Sequence, residues 1–402
     1  MQKKIIALAI AGLVSGGAFA QASTVTISGQ MRLAIDNASA SGCSAVGCTN
    51  LTSRTRVTDQ NSNIRFAGVE PLGGGTDAWW QAESAIGTNN NIGTTGGNQA
   101  AVTSTGVGTR NTALGLKGAW GSAFAGKWDV HYSTMAGIDI NGLAGGLAIS
   151  ANSINLTQTI NGIAVIGSGR DNNVVAYVTP DFSGFKAIIG YTFISEQTTP
   201  NMAAKDAGWT FNPSYTNGPI ALAWSYLNVK NAGATAAAGV SGLDGRSNKI
   251  GGAYTFPMGF KFGLIWDKSK ITSDNAAATS VVAAGNTLVG ALAAGASIER
   301  TSWTMPLSYR MGPHNFSYTY GKAGDVHVSN GTWSSSGAKM NMLGYEYSMS
   351  KRTTVGVTWL GINNDTNGYY DGWHPSSSVA QGTALPVGSD PRLFSVNLSH
   401  TF

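Results

Sequence analysis

The chain ends "GSDPRLFSVNLSHTF", Gly388–Phe402, on a bare phenylalanine. Taken every second residue, Phe394, Val396, Leu398, His400 and Phe402 share one face; Leu393, Ser395, Asn397, Ser399 and Thr401 share the other, which is mostly polar. A period of two is that of a strand, not a helix. Soluble chains usually finish in a frayed polar tail, so an apolar residue closing an alternating strand calls for a reason.

The same alternation recurs upstream. From Thr24 onward an alternating segment leads into a tight Gly/Pro turn, then a second alternating segment, then a longer polar loop. Tight turns fall near Gly73, Gly118, Asp181, Asn217, Met258, Gly312 and Ser350, and loops centre near Asn50, Gly96, Gly146, Pro200, Thr235, Gly285, Ser329 and Pro375. Seven turns and eight loops join sixteen strands.

The two faces differ in kind. "IALAWSY" sets Ile220, Leu222, Trp224 and Tyr226 on one side, and "NFSYTYG" sets Phe316, Tyr318 and Tyr320 against Asn315, Ser317 and Thr319. Phe260, Phe262, Leu264 and Trp266 repeat the pattern, as do Val355, Val357 and Trp359. Aromatics cluster toward strand ends, as an interfacial girdle requires. The second face is Gly, Ser, Thr and Asn with scattered Arg and Lys, which suits the wall of a water-filled space better than the outside of a soluble sandwich. A closed barrel satisfies every backbone hydrogen bond in lipid, which an open sheet cannot. The expected fold is all-β, a transmembrane antiparallel barrel of about sixteen strands enclosing an aqueous channel.

The N-terminus agrees with export. "MQKK" is basic, "IIALAIAGLV" is apolar, and "AFA" precedes Gln21 in the small-x-small form of a signal-peptidase site. Residues 1–20 are expected to be a signal peptide cut after Ala20, and residues 21–402 one barrel domain. The apolar run is too short to span roughly 30 Å of hydrocarbon as a helix.

Composition narrows the class further. Only 11% of residues are charged and 54 are Gly, a surface hard to keep in solution. Losing Lys3 and Lys4 leaves 23 basic against 20 acidic side chains, a net charge of +3 with no basic cluster, which is no nucleic-acid footprint. Cys43 and Cys48 in "CSAVGC" read as a local disulfide pinning one loop; no His or acid stands near enough to suggest a metal site instead. His131, His314, His327, His374 and His400 sit in no hydroxyl or acid motif, so neither an enzyme nor a cofactor is indicated. "VVAAGNTLVGALAAGASI", Val281–Ile298, is apolar, but Gly and Asn interrupt it and it falls where the sixth long loop belongs.

Five blocks, "SNIRFAGVEPLGGGTDAWWQAES", "TALGLKGAWGSAFAGK", "RDNNVVAYVTPDFSGFKAIIGY", "YEYSMSKRTTVGVTW" and "DPRLFSVNLSHTF", resemble in order the general porins of Gram-negative outer membranes, nearest the neisserial and betaproteobacterial type. The resemblance implies a homotrimer of sixteen-stranded barrels in outer-membrane lipid, each narrowed by a third loop folded inward. It also implies that the outer-membrane assembly machinery reads the last strand and Phe402.

The resemblance further sets wall cations against acids of the third loop. On this chain Arg110, Lys127 and Arg170 match such cations. Alternation by itself places Arg32, Arg65 and Glu83 on the polar face, while Arg110 and Lys127 rest on the resemblance. The third loop, roughly His131–Gly169, departs from the family pattern: Asp139 is its one acid. Ala176 and Val178 stand where wall charges are usual. A passive diffusion channel for small hydrophilic solutes, preferring anions, is the expectation. A channel biased toward organic acids and a structural or adhesive protein without transport are the alternatives.

Overall fold

The computed structural model describes residues 24–44, 48–87, 107–129, 135, 137–139, 170–193, 207–231, 243–273, 279–283, 286–292, 295–329, 331–368, 370–372, 378–380 and 385–402. Among them twenty-one strands are formed. The first twelve are β1 (Thr24–Ser41), β2 (Leu51–Asp59), β3 (Asn63–Gly73), β4 (Thr76–Ala85), β5 (Thr112–Gly118), β6 (Gly121–Trp128), β7 (Asp171–Val178), β8 (Phe185–Phe193), β9 (Ala207–Asn217), β10 (Ile220–Asn231), β11 (Leu243–Thr255) and β12 (Phe260–Ser273). The rest are β13 (Thr279–Ala283), β14 (Asn286–Leu292), β15 (Ser297–Met311), β16 (His314–Ala323), β17 (Val326–Val328), β18 (Gly331–Trp333), β19 (Ala338–Ser348), β20 (Thr353–Asn364) and β21 (Asp390–Thr401).

Every pairing is antiparallel, successive staves of the wall pair with one another, β12 with β15 and β16 with β19 included, and β1 closes on β21 from Gln30↔Thr401 to Ser41↔Asp390. β2 and β3 are two halves of one stave, both paired with β1, and β13, β14, β17 and β18 lie outside the wall, so the barrel has sixteen staves. No described helix is long and apolar enough to cross a membrane. The seven tight turns and eight longer connections fall where the sequence places them. The apolar Val281–Ile298 stretch lies mostly in the sixth connection as the small β13–β14 hairpin, and its end, from Ser297, already belongs to β15.

The protein is inside-out. On β21 Phe394, Val396 and Leu398 are exposed while Ser395, Asn397 and Ser399 are buried. The same inversion runs round the barrel, with Ile35, Leu222, Leu264 and Leu343 outside and Asp36, Thr210, Asp267 and Thr319 inside. A closed ladder leaves no backbone group to face hydrocarbon unpaired, which is why a period-two sequence can live there.

Local chemistry sets the turns. Between β7 and β8, Ser183 and Gly184 take left-handed backbone angles of 55° and 96°. The Asp181 carboxylate accepts the Gly184 N–H at 2.6 Å and an ion pair from Lys186 at 3.2 Å. The Gly184 bond first, and Lys186 second, hold the Asp181 carboxyl below the usual carboxylate range. In the first connection Cys43 and Cys48 are disulfide-bonded, with Cα atoms 6.2 Å apart.

Candidate functional site in the barrel lumen

The second stave breaks between β2 and β3, and the break builds the site. The Asp59 carboxylate accepts the N–H groups of Asn61 and Ser62 at 2.9 and 3.0 Å, an Asx turn that lets Asn61 adopt φ of 73°. Asn61 Oδ1 thereby points at the Arg110 guanidinium, whose Nη1 donates to it at 2.5 Å. Arg110, just before β5, is fixed at its backbone by a 2.8 Å bond from its N–H to the Glu83 carbonyl.

Glu83 organises the charges. It faces Arg65 in the β3–β4 register and accepts from Arg65 Nη2 at 2.8 Å and Nε at 3.2 Å. Its other carboxylate oxygen accepts from Arg110 Nε. Only 3% of the Glu83 side chain is exposed, against 44% for Arg65, so the carboxylate is masked and the Arg65 charge is presented to the lumen. Beside them Arg170 Nε donates to Asn111 Oδ1 at 2.6 Å, and Asn111 Nδ2 donates to Asp129 at 2.5 Å. Arg65, Glu83, Arg110, Asn111, Asp129 and Arg170 line one cavity of about 440 Å³. Among the side chains of that lining, three cations stand against two acids.

Of the residues singled out in the sequence, Arg65, Glu83, Arg110 and Arg170 are thus brought together. Arg32 stands near, within electrostatic reach of Arg110 and Glu346. Lys127, opposite Thr112 in the β5–β6 register, does not line the cavity, though Arg170 acts on its charge. Asp139 is not set against the arginines: the described third-loop residues lie on the far wall. There Asp139 acts on Lys249 and Lys261, and Met135 and Ile138 pack on Ala253 and Ile265 of β11 and β12. The second acid on the lining beside Glu83, Asp129, was missed, although it is the first acid after β6. Asn61 and Asn111 were missed too; the polar run "DQNSN", Asp59–Asn63, at the stave break is a sign of Asn61.

Two parts of the inner face are apolar where a polar lining was expected. Trp79, Phe124 and Trp128 form an edge-on cluster with ring centroids 5.0–6.0 Å apart, next to Val174 and Ala176, which explains the missing wall charges near Ala176 and Val178. Trp79 shares a face with Glu83 four residues along β4, about 13 Å toward the tight-turn end. At the long-loop end Tyr370, Val379, Ala380 and Leu385 of the last connection are buried against inward-facing Ile298, Met340, Leu360, Ile362 and Leu393. Arg300 lies over the Tyr370 ring, 4.5 Å from its centroid, and Arg54 Nη2 donates to the Val379 carbonyl at 2.5 Å.

A closed, inside-out sixteen-stave barrel with an arginine-lined lumen has its counterpart among known proteins. A sequence profile of Gram-negative porins matches residues 7–367. The chain belongs to that family. Among its relatives, the major outer membrane protein P.IB of Neisseria gonorrhoeae is 27% identical over 374 residues, 90% of this porin and 94% of that one. Outer membrane porin protein 32 of Delftia acidovorans is 28% identical over 285 residues, 66% and 69% of the two chains. Among solved structures, the anion-selective porin from Comamonas acidovorans superposes with a TM-score of 0.69 at 21% identity, covering 94% of this porin and all of that chain, a likeness of fold. The protein is an outer-membrane porin, a passive diffusion channel.

Proposed function

We propose that this porin passes small hydrophilic solutes with a preference for anions, and that Arg65, Arg110 and Arg170 around Glu83 form its selective neck. The observation that carries the reading is the cavity itself. Its two acids are tied up, Glu83 between two guanidiniums and Asp129 on Asn111, while the half-exposed Arg65 charge faces the water. Two unit charges 4 Å apart attract by about 1 kcal/mol in bulk water and roughly 4 at an effective dielectric of 20, so even a small cationic excess in a narrow passage biases an ion's path. Arg32 and Lys127 add to the field from outside the lining. The Comamonas acidovorans protein of the same fold is anion-selective by its own description.

The working unit is a homotrimer, as in the trimeric OmpT of Vibrio cholerae, which shares the fold. The tight turns face the periplasm and the long connections the exterior. Residues 1–20 are removed on export, and the last strand with Phe402 is the assembly signal. Efflux from liposomes tests the transport reading. Lactate should leave faster than a similarly sized organic cation such as ethanolamine, and equal or reversed rates contradict it. Absence of any efflux would support a structural role.

The Trp79–Phe124–Trp128 cluster favours a second, narrower reading, a bias toward organic acids with an apolar body. Benzoate should then reduce single-channel chloride current more than acetate at equal concentration; equal effects would leave the simple anion channel.

A further inference from the structure

The chain has two cysteines, and both stand in the first long connection, between β1 and β2. Cys43 and Cys48 are bonded to each other, only half-buried, and flanked by exposed Gly42, Ser44, Thr49 and Asn50. The Asn50 side chain accepts the Cys43 N–H at 3.3 Å and braces the base of the ring. What the ring holds is Ser44, the first residue inside it. Its N–H donates to the Val387 carbonyl at 3.0 Å, and its hydroxyl donates to the Thr366 carbonyl at 2.6 Å, with the Val387 carbonyl a longer partner at 3.2 Å. Thr366 lies just after β20 and Val387 just before β21, so Ser44 joins the two ends of the last connection. Gly388, at φ of 75°, leaves the space in which the Ser44 hydroxyl lies; a side chain there would strike it.

A disulfide ring of the first connection thus pins the root of the last. That root carries the residues packed inside the mouth. Asn364 meets Tyr370 in both directions, its amide oxygen accepting the Tyr370 N–H at 2.8 Å and its amide nitrogen donating to the Tyr370 carbonyl at 3.0 Å. The same nitrogen reaches the Ser389 carbonyl at 2.6 Å. From there Tyr370, Val379, Ala380 and Leu385 are buried against the inward rows of the wall. Closing so short a ring cuts its accessible conformations by a factor on the order of tens. Ser44 is therefore presented to its two carbonyls while the bond is closed, and has to be ordered afresh when it is open.

We propose that the Cys43–Cys48 disulfide is a thiol-exchange site, reached by small thiols at the long-loop mouth, and that its reduction frees Ser44, loosens the last connection and widens the passage. A small thiol, as its thiolate, attacks one of the two sulfurs; a mixed disulfide forms, and the other cysteine leaves as a thiolate that takes up a proton. A second thiol then attacks the mixed disulfide. Two small thiols have become one small disulfide, and the protein has gained two electrons and two protons as two cysteine thiols. Exchange needs a sulfur that a thiolate can reach, and the half-buried ring among exposed neighbours supplies it. The inference does not rest on the ion preference proposed above, since a channel of either selectivity can carry this clasp.

The experiment records single channels of the purified protein in a planar bilayer with dithiothreitol on both sides, its two thiols serving as both equivalents, and follows the bond by maleimide trapping and mass spectrometry. Because the chain has no other cysteine, every trapped thiol reports this bond. Reduction should raise the mean conductance, and nicking near Val379 by added protease should become about tenfold faster, since cleavage tracks the population of the loosened form. C43S/C48S should show the raised values from the start and ignore dithiothreitol. S44A, which keeps the bond and loses the hydroxyl's contact with Thr366, should lie between the two, which keeps the test open if the double variant fails to fold. Conductance and nicking that stay unchanged while trapping finds both thiols overturn the proposal. So does a bond that resists dithiothreitol in the folded protein and yields only after unfolding, which would mean a sealed structural crosslink. A response to dithiothreitol that persists in C43S/C48S overturns it as well, because the effect would then lie elsewhere.

Discussion

Glu83 and Arg65 face one another across the β3–β4 register, and one carboxylate oxygen accepts both Nη2 and Nε of the guanidinium, at 2.8 and 3.2 Å. With Arg110 on the other oxygen, one acid is shared by two bases. The acid therefore orders the cations more than it neutralises them, and that makes it the first residue to change.

Glu83→Gln keeps the shape but removes the charge that holds Arg65 and Arg110 together. The protein should lose about 2 kcal/mol, the scale of a hydrogen bond to a charged group, seen as a lower melting midpoint in detergent. At the same time its anion preference should rise, because the lining gains one net positive charge. A fall in anion preference would mean that Glu83 is not in the conducting path.

Phe402 pairs at its backbone with Gly29, N–H to carbonyl in both directions at 3.0 and 3.1 Å, and its ring occupies the space a Gly29 side chain would need. Deleting Phe402 removes these last bonds of the closing seam as well as the proposed assembly signal. Trimers should disappear from the outer membrane, and Gly29→Val should reproduce part of the loss because its Cβ would meet the Asn63 carbonyl oxygen and, at 2.6 Å, the ring. Normal surface levels of the truncated chain would refute the role of the terminal residue.

Orientation is checked by labelling. No free cysteine is described, so a single introduced thiol reports cleanly. Ser334→Cys, in the connection between β16 and β19, should react with a membrane-impermeant reagent on intact cells, whereas Asn217→Cys, in the β9–β10 turn, should react only after the outer membrane is opened. The reverse pattern would invert the barrel.

Tyr370 is buried under the last connection with Arg300 on its ring. Tyr370→Ala should cost that connection about 3 kcal/mol of local stability, in the range for large aromatic truncations. The expected readout is faster proteolytic nicking near Val379 and a larger, noisier single-channel current. An unchanged current would show that the packed connection does not narrow the passage.

The wall of this protein was legible in its sequence because period two, tight Gly/Pro turns and an apolar outward row are all local signals; Phe394 to Phe402 alone shows the pattern. The lumen was less so. Arg65 and Glu83 could be read from parity, since they sit within regular strands. Arg110 and Lys127 could not, because one precedes its strand and the other follows Gly126, whose φ of 153° disturbs the register. Asn61 depends on a turn inside a stave, and Asp139 on where a loop lands across the barrel, a contact at long sequence separation that no periodicity encodes. The apolar packing of Tyr370 and Leu385 escaped for the same reason: a residue in a connection carries no mark of which surface it will meet.

The central claim is that the arginine-lined neck favours anions, and the zero-current potential across a planar bilayer in a potassium chloride gradient measures it directly. Chloride should be favoured over potassium at low salt, and the preference should shrink as the Debye length falls from about 30 Å at 0.01 M to about 3 Å at 1 M. Replacing Arg65, Arg110 and Arg170 together by Gln should remove most of it, while replacing Lys322 and Lys339 on the outer face should leave it unchanged. A potential showing potassium favoured at low salt in the unsubstituted channel would contradict the account.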